Sequence, residues 1–251
     1  MVKISAVIIT YNEASNIERC IQSVSKVADE IIVSDSFSVD ETKNIAIKNG
    51  AIVFSKTFVG YGLTKNEANK LAQHDWILSL DADEEISIEL QNTILEIKSN
   101  LDNNSVYIFK RLNNYCGQWI KHGGWYPDKK PRLFNKKFVQ WNLAVVHETL
   151  EIPNNNNQIE LDGNLLHYSY ATVESHQRKI ENYSTKGAEE AFKKNKKASL
   201  LKRFGSPIFK FVRDYVFKLG FLDGHYGLVI AFLSAKEVYL KYKKLHQLKL
   251  F

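Results

Sequence analysis

The densest cluster of carboxylates in the chain is the segment Asp81-Ala82-Asp83-Glu84-Glu85, which follows the apolar run Trp76-Ile77-Leu78-Ser79-Leu80. The apolar run predicts a buried strand. Four carboxylates at the end of that strand repel one another, and a divalent cation would relieve the repulsion. Oxygen ligands favour Mg²⁺ or Mn²⁺ over zinc. Asp81 and Asp83 are the candidate metal ligands, because the two glutamates are predicted to begin the next helix, where its dipole favours acidic side chains.

Two further polar clusters follow predicted strands, namely Thr10-Tyr11-Asn12-Glu13 and Ser34-Asp35-Ser36. In an open α/β sheet a ligand binds outside the carboxyl ends of the strands. The three clusters are therefore predicted to form one binding site. The sequence has neither a Gly-x-Gly-x-x-Gly fingerprint after the first strand nor a Gly-x-x-x-x-Gly-Lys-Ser/Thr loop, so neither a dinucleotide reductase nor a P-loop kinase is supported.

The elements that must position these clusters are short β-branched runs alternating with helical spacing, which is typical of a mostly parallel sheet covered by helices. Ser15 is predicted to cap the first helix, with Glu18 completing a capping box. The remaining predicted helices are 40–49, 66–73 and 86–99, and the predicted strands are 4–10, 30–34, 51–54, 76–80 and 106–110. We therefore predict an α/β fold of Rossmann-like type.

Residues 111–170 differ in composition, being rich in Trp, Tyr, Asn and Gly, with strand-like fragments such as 132–134 and 165–168. Such a region is where substrate-specific loops are expected. Thr172 is then predicted to cap a long helix that ends near residue 194. Two more amphipathic helices are predicted near 207–218 and 223–243.

Positive charge is concentrated in the last third of the chain. The net charge is +6, but residues 1–176 carry −5 and residues 177–251 carry +11. A basic segment of this kind indicates an anionic partner, which could be nucleic acid, an anionic membrane face or a phosphorylated acceptor. A solvated helical surface is the alternative that needs no partner.

The chain of 251 residues is long enough for one large or two small domains with a continuous core. Its two cysteines, Cys20 and Cys116, are too few for a disulfide framework and fit a reducing cytosol. The first apolar run is too short for a signal peptide, and no window is apolar enough to predict a spanning helix. We therefore expect a cytoplasmic protein.

Taken together, three segments resemble the family 2 inverting glycosyltransferases, whose fold is the GT-A nucleotide-diphospho-sugar transferase fold. The segments are Ser5 to Ile17, Asp29 to Ser36 and Asp75 to Glu84, in the family's order and spacing over the first 100 residues. The chain looks most like the bacterial lipopolysaccharide core β-1,4-glucosyltransferase branch. That closer likeness rests on the segments Tyr126 to Phe134, Val146 to Leu150 and Gly220 to Gly224.

The resemblance implies a division of the chain and a donor site. A catalytic domain would span 1–170, with nucleotide-sugar binding in 1–110 and the acceptor region in 111–170, and a basic helical extension would span 171–251. The residues implied to bind the nucleotide sugar are Thr10, Tyr11, Glu13, Asp35 and Asp81. In the acidic segment, Asp83 would ligate a metal that bridges the donor diphosphate, with Asp81 beside it.

The resemblance also implies a general base. Glu148 occupies the place of the family's catalytic carboxylate, although this chain has His147-Glu148 where the family often has Glu-Asp, so Asp128 is the second candidate. An inverting transfer needs one carboxylate to take the acceptor's proton, and a cation to stabilise the leaving diphosphate. Arg132 or Lys130 could supply that positive charge.

Several single residues keep two interpretations. Trp125 and Tyr126 could stack on an acceptor sugar or fill a core. His147 could be an acceptor-site or metal neighbour, or simply hydrogen-bonded within the fold. His167 could approach the metal, and the alternative is again structural. By contrast, Lys65 and Arg111 are expected to lie on the surface.

The expected function is therefore an inverting, metal-dependent transfer of a hexose, glucose from UDP-glucose, to a cell-surface glycan such as the lipopolysaccharide inner core. The basic helices would hold the enzyme at the anionic inner face of the cell membrane. Alternatives are a family 2 transferase with another donor or with a protein or polysaccharide acceptor, and a non-catalytic nucleotide-sugar binding protein. Nucleic acid is not expected as a partner, because no recognition motif is present.

Overall fold

The computed structural model describes residues 2–143, 148–196 and 199–249. Its strands are β1 Ile4–Thr10, β2 Glu30–Asp35, β3 Ile52–Ser55, β4 Trp76–Asp81, β5 Glu84–Ile86, β6 Ser105–Tyr115, β7 Gln118–Ile120, β8 Asp128–Asn135, β9 Gln140–Trp141, β10 Leu150–Glu151 and β11 Asn157–Tyr170. Its α-helices are α1 Ile17–Val24, α2 Thr42–Lys48, α3 Tyr61–Leu71, α4 Ile88–Ile97, α5 Val173–Lys193, α6 Leu200–Val212 and α7 Gly224–Leu248. The predicted α/β class is confirmed.

The main sheet has a parallel half. Its order over the described residues is β3-β2-β1-β4-β8-β6-β11-β5, with β7 added to β6. β1 pairs in parallel with both β2 and β4. All seven residues of β1 are buried, as expected for a parallel strand covered on both faces.

Alternate residues of β1 point to the two covered faces. Ile4, Ala6 and Ile8 belong to one apolar cluster, which α1 covers with its predicted i, i+3, i+4, i+7 stripe of Ile17, Cys20, Ile21 and Val24. Val7 and Ile9 belong to a second cluster, on the face covered by α3. The strand period of two and the helix period of 3.6 together place one helix on each face.

The contacts divide the chain into two compact units. The first unit comprises Met1–Arg111 and Lys129–His167, and the second comprises Leu112–Asp128 and Tyr168–Phe251. The expected division into a catalytic domain at 1–170 and a helical extension at 171–251 stays a prediction.

Two local predictions in the first unit are wrong. Ser15 does not cap α1: Asn16 is the N-cap residue and makes no side-chain capping bond, and the backbone N–H groups of Asn16 and Ile17 donate to the Glu13 carbonyl instead. Glu84 and Glu85 do not begin a helix, because both lie in β5. Helix α4 begins after its N-cap residue Ser87, whose side chain accepts a hydrogen bond from the Leu90 N–H. In the first case the turn at Glu13 provides hydrogen bonds that the sequence pattern assigned to a helix end, and in the second Glu84 and Glu85 pair with His167 and Leu166 of β11.

In the second unit, α5 begins as predicted. The Thr172 side chain accepts a hydrogen bond from the Ser175 N–H, and the Thr172 N–H donates back to the Ser175 hydroxyl. Both α5 and α6 pack on α7. Beneath them, Tyr115 Oη lies 3.0 Å from Nδ1 of His176, and burial lowers the pKa of His176 to about 4. This histidine is therefore a neutral core residue at ordinary pH.

The helices of the described chain include no single one that is long and apolar enough to cross a membrane. One pair, Lys202–Phe217 and Gly220–Leu248, meets the length and composition requirement only jointly and is bent by 73° at the break between its members.

Gly163 provides a test of how α4 approaches β11. A Cβ atom at this position would lie 2.3 Å from the backbone nitrogen of Leu90, and φ is +94°. We expect Gly163→Ala to lower the free energy of unfolding by about 2 kcal/mol or more, measured by urea denaturation. The control is Gly50→Ala, which has φ +82° but nothing within 4 Å, and which should cost only about 1 kcal/mol. Equal losses would show that the Leu90 contact does not matter.

Candidate active site

The three predicted polar clusters converge at the carboxyl ends of adjacent strands. In the sheet register Thr10 of β1 lies opposite Asp35 of β2, and Ile9 of β1 lies opposite Asp81 of β4. Asp35 is 1% exposed, and its Oδ2 accepts a hydrogen bond of 3.0 Å from the Ser38 N–H. Asp35 Oδ1 and Thr10 Oγ1 are buried without a hydrogen-bond partner in the part of the chain that the structure describes. Since unpaired buried polar atoms are costly, these two atoms are suited to bind a polar ligand.

The other predicted residues of the first cluster have different environments. Tyr11 is 58% exposed, so its ring is accessible to a ligand. The Glu13 side chain accepts a hydrogen bond of 2.7 Å from Asn16, and its backbone N–H donates to the Thr42 hydroxyl at 2.8 Å. Glu13 therefore fixes the turn that leads from β1 into α1.

Asp81 is held by two cations, one on each carboxylate oxygen. Lys65 Nζ lies 3.0 Å from Oδ1, and Arg132 Nη2 lies 2.9 Å from Oδ2. Burial alone would raise the pKa of Asp81, but the charges of Lys65 and Arg132 hold it well below its ordinary value. Asp81 is therefore ionised and fixed in place, and its Oδ1 is ion-paired with Lys65 but makes no hydrogen bond with the described residues.

Glu84 is the buried centre of the same charge network. Its side chain is fully buried, and Oε1 contacts Arg132 at 2.6 Å and Arg111 at 3.3 Å, while Oε2 accepts from the Asp81 N–H at 3.1 Å. Burial would lower the pKa of Arg132, yet Glu84 and Asp81 raise it above its ordinary value. The positive charges of Lys65, Arg111 and Arg132 therefore offset much of the repulsion among the carboxylates, for which a divalent cation was predicted.

Two of those cations lie elsewhere than the sequence predicts. Lys65 is 1% exposed, so its expected surface position is wrong. Arg111 has a side chain only 19% exposed and contacts a buried carboxylate, so the same expectation is wrong for it. Neither residue carries a motif, and the one available signal was the surplus of carboxylates, which required cations from elsewhere in the chain.

Lys65 also brings Glu148 to the strand ends. Its Nζ lies 2.8 Å from Glu148 Oε1, while it contacts Asp81 at the same time. The ammonium further lies 4.7 Å from the centre of the Trp141 ring. The neighbouring Asn66 side-chain amide donates a hydrogen bond to the Trp141 carbonyl at 2.7 Å and accepts one from the Trp141 backbone N–H at 2.9 Å. Helix α3 therefore positions both ends of the segment that contains the candidate base.

Asp83 has a separate partner. His167 Nε2 lies 3.2 Å from Asp83 Oδ2, and the side chains are 16% and 24% exposed respectively. β11 places His167 opposite Glu84 of β5.

Among the described residues no group of three or more His, Cys, Asp or Glu side chains could hold a metal ion. Asp83 and His167 still offer an oxygen and a nitrogen ligand, which leaves other positions to phosphate oxygens and water. The ligand role of Asp81 stays a prediction, since its oxygens are ion-paired with Lys65 and Arg132 while Oδ1 makes no hydrogen bond with the described residues.

The predicted acceptor residues lie in the second unit, except His147, which lies outside the described residues. The Trp125 ring packs edge-on against the Tyr115 ring, with 5.9 Å between the ring centres. The Trp125 carbonyl accepts a hydrogen bond of 3.2 Å from the Asn113 side-chain amide. Tyr126 precedes Pro127 in a cis peptide bond, and Asp128 is the first residue of β8. The acceptor roles of Trp125 and Tyr126, and the alternative base Asp128, stay predictions.

Comparison with known proteins gives matches over the whole chain. Residues 5–151 match the family model described as Glycosyl transferase family 2. An uncharacterized glycosyltransferase of Rickettsia prowazekii (strain Madrid E) is 34% identical over 100% of this chain and 89% of its own length. The lipopolysaccharide core biosynthesis glycosyltransferase LpsC of Rhizobium meliloti (strain 1021) is 26% identical over 95% of this chain and 93% of its own. Among solved structures, a glucosyl-3-phosphoglycerate synthase from Mycobacterium tuberculosis matches 45% of this chain and 44% of its own, with 25% identity and a TM-score of 0.37.

The Asp81 network predicts a defined pH dependence. Because the folded-state pKa of Asp81 lies below its ordinary value of 3.8, its ion pairs stabilise the fold above that pH, and the contribution is lost as the pH falls toward the folded-state value. We expect Asp81→Asn to be less stable than wild type near neutral pH, with a difference that shrinks below about pH 4. Urea denaturation across this range measures it. Asp162→Asn is the control, since that side chain is 87% exposed, and a pH-independent difference for Asp81→Asn would contradict the prediction.

Proposed function

Because the chain belongs to glycosyl transferase family 2 and is an enzyme of the transferase class, we propose that it transfers glucose from UDP-glucose to the core of a bacterial lipopolysaccharide, with inversion at the anomeric carbon. The similarity to LpsC, whose name specifies lipopolysaccharide core biosynthesis, supports this acceptor. The predicted likeness to the core glucosyltransferase branch supports the donor.

The observation that carries the proposal is the Lys65 ammonium shared by Asp81 and Glu148, at 3.0 and 2.8 Å. It holds the candidate base against the carboxyl end of β4, where a family 2 donor site is expected. A base must come within hydrogen-bond reach of the proton that it removes. The position of Glu148 beside the strand ends supports this role, and its side chain is 16% exposed, which leaves it accessible to an acceptor.

The donor's nucleoside would bind at the ends of β1 and β2. The unpaired Asp35 Oδ1 is an acceptor for an N–H of the base or a ribose hydroxyl, and Thr10 Oγ1 can both donate and accept. The exposed Tyr11 ring could cover the base by stacking. Together these groups recognise a flat, hydrogen-bonding nucleoside.

The divalent metal, Mg²⁺ or Mn²⁺, would be held by Asp83 and His167, with Asp81 as a fixed negative charge nearby. When bound, the metal supplies positive charge that stabilises the leaving diphosphate. Arg132 is the additional cation proposed for this charge, although its Nη2 nitrogen is shared between Asp81 and Glu84. Its first effect is therefore to keep Asp81 in place.

In the proposed reaction Glu148 takes the proton of an acceptor hydroxyl. That oxygen forms a bond to the anomeric carbon from the face opposite the diphosphate, and the bond from that carbon to the diphosphate oxygen breaks, which releases UDP. One protein carboxylate is enough for an inverting transfer. The network around Lys65 orients this carboxylate before the acceptor binds.

We place the reaction in the cytoplasm, at the inner face of the cell membrane. Cys20 and Cys116 are both free, which accords with a reducing compartment. A lipid-linked acceptor would be reached at a membrane surface.

Donor binding is the first test of the proposal. We expect UDP-glucose to bind more tightly than UDP-galactose, UDP-N-acetylglucosamine or GDP-mannose in calorimetric titrations, and EDTA to weaken binding. Asp83→Asn and His167→Asn should each remove the response to Mn²⁺, whereas Asp75→Asn, an exposed carboxylate paired with Lys137, should keep it. Tightest binding of another donor would overturn the glucose assignment, and no binding of any donor would overturn the transferase proposal.

The role of Glu148 is tested by Glu148→Gln, which keeps the side-chain shape but cannot take a proton. We expect turnover to fall by about 10²–10⁴-fold, measured as UDP release with acceptor present, while the donor dissociation constant is unchanged. Glu151→Gln, an exposed carboxylate three positions later, is the control and should retain wild-type turnover. If donor affinity fell in parallel with turnover in Glu148→Gln, the base assignment would fail.

A further inference from the structure

The second unit has a dense group of exposed apolar side chains on α6 and the turns that follow it. The group, called here the apolar face, comprises Phe204, Ile208, Phe209, Val212, Val216, Phe217, Leu219, Phe221 and Leu222. Phe217 is 75% exposed, and Ile208 and Phe209 are 65% and 64% exposed. Exposed large apolar side chains concentrated in one stretch of the chain are typical of an interaction site.

The spacing aligns four of these side chains along one side of the helix. Phe204, Ile208, Val212 and Val216 follow one another at four-residue intervals, along α6 and the π-helical turn Arg213–Phe217 that continues it. Residues four apart lie on one side of a helix. Other residues of these helices face inward, including Pro207 of α6, which is buried.

The charges around the apolar face are one-sided. Between residues 199 and 236 the sequence contains only two carboxylates, Asp214 and Asp223. They are 4% and 5% exposed, and Asp214 is paired with Lys210 and Arg213. The exposed charges in the same stretch include Lys202 and Lys218. The outward surface is therefore apolar and basic.

From this combination we propose that the apolar face docks on an anionic lipid bilayer, with α6 parallel to the surface and its phenylalanine side chains among the headgroups and upper acyl chains. Amphipathic helices with basic residues beside bulky apolar ones bind membranes in this way. Lysine and arginine near the surface add attraction to anionic lipid. The proposal concerns a surface of the second unit and does not depend on which donor or acceptor the enzyme uses.

Two other occupants fit the surface less well. A second copy would place the same basic residues opposite one another, and nothing acidic on this face would offset them. A spanning segment would bury Lys202, Arg203, Lys210 and Arg213 in hydrocarbon, at a cost that no single helix in the described chain is apolar enough to offset. A bilayer surface instead satisfies the apolar and basic side chains together.

The test is flotation of the full chain with large vesicles of phosphatidylcholine, with and without phosphatidylglycerol, at low and high salt. Wild type should bind the anionic vesicles and release partly at high salt. Ile208→Gln/Phe217→Gln should lower the partition coefficient by about tenfold or more, because two exposed apolar side chains no longer enter the bilayer. Ile88→Gln/Phe138→Gln, which changes two exposed side chains of the same types in the first unit, should bind like wild type.

Lys202→Glu/Lys218→Glu is the second variant and isolates the charge contribution. It should weaken binding to anionic vesicles and flatten the salt dependence, with circular dichroism and the Tm unchanged from wild type. UDP-sugar hydrolysis without lipid should be the same in all these proteins, so loss of docking is distinguishable from loss of catalysis.

Several results would overturn the proposal. Wild type that ignores anionic vesicles excludes docking, and equal binding by the variant and control pairs excludes this face as its site. A dimer of wild type that Ile208→Gln/Phe217→Gln dissociates, seen by light scattering, would assign the face to a second copy. Resistance of membrane-bound protein to alkaline carbonate would indicate an embedded bent pair of helices instead.

Discussion

The ammonium of Lys65 is the interaction on which the candidate site depends. It is almost fully buried, so it requires paired carboxylates, and it finds two from distant parts of the chain, Asp81 and Glu148. One cation thereby fixes the spacing between the end of a parallel strand and a carboxylate that no strand of the main sheet holds. The paired hydrogen bonds between Asn66 and Trp141 add a second attachment to the same helix. Removal of Lys65 would leave Asp81 Oδ1 and Glu148 Oε1 without the cation that they share.

The acidic segment after β4 contains carboxylates in two different environments. Glu84 is fully buried between Arg132 and Arg111, and it receives the Asp81 N–H, so it supports the turn. Asp83 and His167 remain partly exposed, which suits their proposed role as metal ligands. Charges that support the fold and charges with a proposed role in the reaction are thus adjacent in sequence but different in burial. This difference explains why repulsion among the carboxylates did not by itself require a metal.

The interior of the second unit is held together mainly by packed aromatic side chains. Tyr115, Trp125, Tyr170 and His176 pack ring against ring in its interior, and the neutral state of His176 follows from that burial. Residues 177–251 carry a net charge of +11, and the helices in this stretch leave phenylalanines on the outside. The polar site of the first unit suits a small charged ligand, whereas this helical surface suits an extended one.

The sequence by itself determined the strands and helices whose apolar periods are regular, such as β1, α1 and the Thr172-capped α5, and it determined that the polar clusters at Thr10, Asp35 and Asp81 meet, because parallel strands align their carboxyl ends. The tertiary structure decided which cations enter the site. Lys65 and Glu148 are 83 positions apart, and a lone lysine carries no local signal of its future partner. The same holds for Glu84, which lies in β5 and pairs with His167 of β11, 83 positions away. Local periodicity encodes burial, whereas the pairing of buried charges depends on which distant segments the fold brings within a few ångströms.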